Sequence, residues 1–113
     1  MKKISITVVS IFAVLLSLNS VHASGEWYEG GTLQKASLSQ WNKSTLKNKI
    51  ATSADWAITR EKILNVVQKT GTMETLKIFA VDVALCVDEV AAPGDIKGSA
   101  PDIAGGCMML MGW

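Results

Sequence analysis

Histidine occurs once in this chain, at His22. It lies inside an N-terminal segment that reads as a removable export signal, so the mature protein is expected to hold none. Without an imidazole, the mature chain lacks the base of a Ser-His-Asp or Cys-His mechanism and the usual nitrogen ligand of a zinc site. Arginine is almost as scarce. Arg60 is the only one, and with Glu61 beside it a surface role is expected. An excess of positive charge is missing too. Of eleven Lys and Arg, Lys2 and Lys3 leave with the signal, so nine face ten Asp and Glu. That balance excludes the basic footprint of a nucleic-acid partner. There is no Gly-rich phosphate loop, no nucleophile elbow and no metal-ligand spacing,. The expectation is a protein that is not an enzyme and takes no cofactor or metal.

Long apolar runs are also lacking, with one exception at the start. Lys2 and Lys3 precede Ile4–Leu18, "ISITVVSIFAVLLSL", and "NSVHA" follows with small residues at Val21 and Ala23. A charged start, an apolar middle and small residues before the cut define a secretory signal, with cleavage expected between Ala23 and Ser24. The run of 15 residues is short for a membrane span, which takes roughly 20. No cysteine stands at the cleavage point, so no lipid anchor is expected. About 90 residues would remain, enough for one small domain,. The mean hydropathy of +0.27 comes largely from the signal. The expected location is the periplasm, with secretion as the alternative.

Only two cysteines are present, Cys86 and Cys107. In an oxidising compartment, and in a domain small enough to need a staple, one intramolecular disulfide is the favoured reading. Free thiols and pairing between chains are the alternatives. Proline is rare as well, at Pro93 and Pro101.

What is present has helical spacing. Residues 24–36, "SGEWYEGGTLQKA", read as an irregular N-terminal arm, since Gly25, Gly30 and Gly31 interrupt regular structure,. Its Trp27, Tyr28 and Leu33 are apolar enough to dock on the body, or to form a recognition surface. Residues 37–113 read as the helical domain. Ser37 and Gln40 match a capping box, and Leu38, Trp41 and Thr45 follow at helical intervals,. Thr52 and Asp55 offer a second start, and Trp56, Ile63, Leu64 and Val67 make a buried stripe,. The spacing suggests two elements over 38–68, meeting near Thr52, with a single kinked helix as the alternative. After the turn at "KTGT", Thr72 caps a helix whose stripe is Leu76, Phe79, Ala80, Val83, Cys86, Val87 and Val90,. "APGDIKG" ends it. Ser99 with Asp102 starts the last helix, with Pro101 in its first turn and Ile103, Cys107, Leu110 and Met111 on one face,. Gly112 is its stop. No period-two alternation appears, so the fold class is all-α: a small single domain of about four short helices, the last two linked by the disulfide.

Each glycine within a helix costs about 1 kcal/mol against alanine. Gly105 and Gly106, just before Cys107, are therefore expected to serve the close approach that a disulfide between helices needs, or else to mark a kink or a late helix start. Ala80, Ala84 and Ala104 are small for the same reason. Asp88 and Glu89 lie near a helix C-terminus, where the dipole disfavours negative charge. Being adjacent, they point apart and make a poor acid–base pair. A solvated end is the plain reading; pairing with a lysine, a cation or a basic partner are the others. Met108, Met109 and Met111 suit an adaptable binding surface or core filling. They cannot all face inward. The candidate partner-binding residues are Trp27, Tyr28, Met108 and Trp113.

The stretches "WYEGGTL", "LKNKIATSADW" and "MMLMGW" resemble a family of short exported bacterial proteins to which no activity attaches. A looser resemblance is to the HdeA-type periplasmic acid-stress chaperones, which are small, helical, exported and singly disulfide-bonded. Their cysteines lie much further apart than Cys86 and Cys107, and neither likeness carries functional residues over. The second implies a non-enzymatic protein-binding role of a stress or chaperone kind. The alternatives are an inhibitor or immunity protein against an exported toxin or cell-wall enzyme, and an envelope component acting by oligomerisation. In the first two the partner is a protein.

Overall fold

A computed structural model describes residues 25–113; the export signal expected over residues 1–23 lies outside them. Five helices follow in order: α1 Leu38–Asn42, α2 Leu46–Ala57, α3 Glu61–Thr70, α4 Glu74–Ala91 and α5 Ala100–Leu110. The described residues form no strand; one isolated bridge joins Ser37 and Ser99.

Side-chain caps set most of the starts. Ser37 Oγ accepts from the Gln40 amide at 3.1 Å, and Gln40 Oε1 accepts from the Ser37 amide at 2.9 Å, completing the capping box of α1,. Thr45 caps α2 through the Asn48 amide, and Ser99 caps α5 through the Asp102 amide. At α4 the N-cap residue is Met73, which makes no side-chain cap bond, and not the expected Thr72, whose Oγ1 accepts from the Glu74 amide at 3.1 Å from one position earlier. At its end, α3 turns on Gly71 at φ 72°, a conformation that glycine adopts without strain. Gly112 closes α5 at φ 84°. Its amide donates to Met109 O and the Trp113 amide to Met108 O, both at 3.0 Å. This paired pattern satisfies the last carbonyls of the helix and folds Trp113 back on the body.

Helix α4 is the axis of the domain and packs against the other four. Its buried side carries Leu76, Ala80, Val83, Ala84, Val87 and Ala91, four of the seven residues of the expected stripe among them. Phe79, Cys86 and Val90 are half-buried. One core cluster gathers Leu33, Leu38 and Trp41 with Val83, Val87, Ala104 and Met108. The other gathers Ala54, Ala57, Ile63 and Val67 with Leu76 and Ala80. The disulfide joins Cys86 on α4 to Cys107 on α5, with the two Cα atoms 6.1 Å apart.

Several expectations are corrected. Residues 38–68 break twice, after Asn42 and after Ala57, and not near Thr52. Thr45 supplies the α2 cap, while Thr52 is fully buried in the middle of α2, its hydroxyl accepting the Leu33 amide at 3.2 Å. The arm over 25–36 is irregular but firmly attached. Thr32 and Asn48 exchange two hydrogen bonds, at 2.9 and 2.8 Å, and Gln34 reaches Asp55 at 2.7 Å. A Cβ on Gly31 would lie 2.6 Å from the Thr52 amide nitrogen, so the crossing of arm and α2 demands glycine there. Leu64 and Leu110, expected in buried stripes, lie at the surface. Gly105 and Gly106 do not serve the close approach of α4 and α5. A Cβ on Gly106 would meet nothing within 4 Å, and one on Gly105 would find only Arg60 Nη2 at 3.9 Å. The small buried residues of the α4–α5 seam are alanines: Ala84, Ala91, Ala100 and Ala104.

Candidate docking face

Three of the four candidate partner-binding residues converge. Trp27, Tyr28 and Trp113 all pack at the margin of the second core cluster, beside Met73 and Phe79. Phe79 and Trp113 meet edge to face, their ring centroids 5.2 Å apart; Trp27 and Tyr28 do the same at 5.3 Å. Edge-to-face contact sets the positive rim of one ring against the negative face of the other. The fourth candidate, Met108, is elsewhere. It is 4% exposed within the first cluster and offers no surface; the exposed neighbour is Met109, at 73%.

Trp27 is clamped to the first turns of α4. Its indole N–H donates to Glu74 Oε2 at 3.2 Å, and Lys77 Nζ stands 5.6 Å from its ring centroid, within reach of a cation–π attraction. Partial burial, then the negative charges of Glu26 and Glu29, raise the Tyr28 phenol above its ordinary value.

Glu74 and Lys77 also line a shallow groove on the outer side of α4, together with Ile78, Val81 and Asp82. Ile78 is 64% exposed and Leu85, two turns on, 52%; Val81 lies between them and is half-buried. Residues at i, i+3 and i+7 share a helix face, so α4 carries a second apolar stripe turned away from the core. The expected inward stripe of this helix does not include these residues. The signal was there: in "ETLKIFAVDVALCVDEV" apolar residues recur on two faces.

Asp88, one of the two adjacent acids, is held internally. Its Oδ1 accepts from Trp41 Nε1 at 2.8 Å and from Lys49 Nζ at 2.9 Å. Lys49 also lies 5.6 Å from the centroid of Trp41, which is fully buried and stacks on Trp56 at 5.9 Å. Lys49–Asp88 is the one ion pair among the described residues. Asp88 therefore fastens α1 and α2 to α4, and Glu89 alone is exposed. No group of three His, Cys, Asp or Glu able to hold a metal occurs among the described residues. None of their helices is long and apolar enough to cross a membrane.

This face presents exposed aliphatic side chains, a clamped indole and carboxylates. No protein-family model, curated protein or solved structure matches the chain.

Proposed function

We propose that this chain is a small exported protein without catalytic activity that binds other proteins, in a stress- or chaperone-like role, through the outer face of α4. The observation that carries the reading is the exposure of Ile78 and Leu85 on either side of Val81, on a helix whose opposite side already forms the core. Aliphatic side chains held in water along one helix face gain free energy when a partner covers them. The disulfide and the signal-like start support export to the periplasm, and the likeness to HdeA-type proteins supports a stress role. Acid supplies a trigger. Protonating ten carboxylates would leave nine Lys and Arg unopposed and loosen a small domain.

The test is the aggregation of an unfolded client protein at neutral pH and at about pH 3. The protein is expected to slow aggregation, more strongly in acid, and the Ile78→Asp/Leu85→Asp variant to lose that effect. A protein that stays folded and inert in acid, with no effect on clients, overturns the chaperone reading. The fixed Trp27–Tyr28 arm favours the second reading, an inhibitor or immunity protein, because a pre-formed aromatic surface lowers the entropic cost of binding. That reading requires one enzyme or toxin bound at a defined stoichiometry.

A further inference from the structure

Resting on the proposed docking role of α4, we infer that its outer face takes one kind of occupant: an amphipathic helix with basic residues along its flank. Ile78, Val81 and Leu85 fall at i, i+3 and i+7, the spacing with which one helix presents a seam to another. Asp82 and Glu89 stand four residues beyond Ile78 and Leu85 respectively. This is the flanking position from which a helix contacts the charged residues of its neighbour.

The charges on this face are not alike in their freedom. Lys77 is taken up by the Trp27 ring and Glu74 by the Trp27 indole N–H. Asp88, on the same turn as Glu89, is occupied by Lys49 and Trp41. Asp82 and Glu89 are exposed and unpaired among the described residues. They are seven residues apart, about 10 Å along the helix. A partner helix with two Lys or Arg at the same interval would set one against each carboxylate while covering the aliphatic seam. A second copy of this chain fits less well. Its face would bring the same three carboxylates, Glu74, Asp82 and Glu89, against one lysine, and like charges disfavour the match. From Glu74 to Glu89 the face runs about 22 Å, room for four turns of a partner.

Two labelled synthetic helices with the same aliphatic seam test this, one with Lys at the two flanking positions and one with Glu. Binding to protein purified from an exporting host is read by anisotropy. The basic peptide should bind roughly tenfold more tightly, and the advantage should fall as salt is raised. Asp82→Lys/Glu89→Lys should reverse the preference, and Ile78→Asp, at an exposed position, should weaken both peptides. Equal binding of the two peptides, insensitive to salt, overturns the charge inference and leaves the docking face standing. Binding of neither overturns both. A concentration-dependent dimer that Ile78→Asp dissolves, with no peptide bound, assigns the face to a second copy and overturns the inference.

Discussion

Asp88 Oδ1 lies 2.8 Å from the indole nitrogen of Trp41 and 2.9 Å from the ammonium of Lys49. One carboxylate oxygen thus satisfies the only polar side-chain atom of a fully buried tryptophan and neutralises a lysine whose side chain is 13% exposed. Asp88→Ala leaves an indole N–H without a partner and a positive charge with little water. The expected loss is about 2–3 kcal/mol of unfolding free energy. Asp88→Asn keeps an acceptor for Trp41 and should lose less. Urea unfolding of the two variants decides it. Equal losses would mean that the ion pair, and not the indole bond, carries the effect.

Gly31 is required for a different reason. A Cβ there would lie 2.6 Å from the Thr52 amide nitrogen and 2.7 Å from Thr52 Cα, both backbone atoms that no rotamer change can move. Gly31→Ala must push the arm off α2 and lengthen the Leu33–Thr52 and Thr32–Asn48 bonds. A destabilisation of about 2 kcal/mol is expected, with faster proteolytic nicking between Trp27 and Leu33. An unchanged urea midpoint would show that the arm is not tied to α2 in this way.

Gly106 should behave in the opposite sense. It sits inside α5, and an added Cβ would meet nothing within 4 Å. Gly106→Ala is therefore expected to stabilise the protein by about 0.5–1 kcal/mol, the gain in helix propensity. Thermal unfolding with the disulfide intact is the measurement. A clear loss of stability would restore the idea that this glycine gives the two helices room to meet.

These two glycines mark how much could be read from the chain itself. Local rules were legible: the capping pairs Ser37–Gln40 and Ser99–Asp102, the stop at Gly112 and the stripe Leu76, Ala80, Val83 and Val87 all depend on residues within a few positions of each other. The cysteines, 21 residues apart, could be paired because there were only two. What could not be read depends on distant partners. Nothing near Thr52 announces that its hydroxyl serves Leu33, or that Lys49 will find Asp88. The end of α2 after Ala57 has no glycine or proline to signal it. In α5 the inward face is Ala100, Ala104, Cys107 and Met108, at i, i+4, i+7 and i+8, which leaves Leu110 on the far side at 87% exposure. At the candidate site the aromatic residues were legible by type. The Ile78–Leu85 stripe was not, since periodicity on a helix apolar along two faces does not say which is covered.

Tyr28 gives a test of the docked arm by pH. It is the only tyrosine in the chain, so ionisation followed by ultraviolet absorbance reports this residue alone. Partial burial and the nearby Glu26 and Glu29 carboxylates raise its phenol above the ordinary 10.0. The folded state therefore holds the proton more tightly than the unfolded chain does. That contribution to stability is complete below the unfolded value of about 10 and is lost as pH rises through the folded one. Titration of the native protein should accordingly give an alkaline midpoint above that of the urea-unfolded chain. Glu26→Gln/Glu29→Gln should bring the two closer without merging them, because desolvation, the largest single cause, is left in place. Coincident midpoints in the native and unfolded protein would mean that the Trp27–Tyr28 segment is free in solution, and the aromatic surface would then have to form on binding.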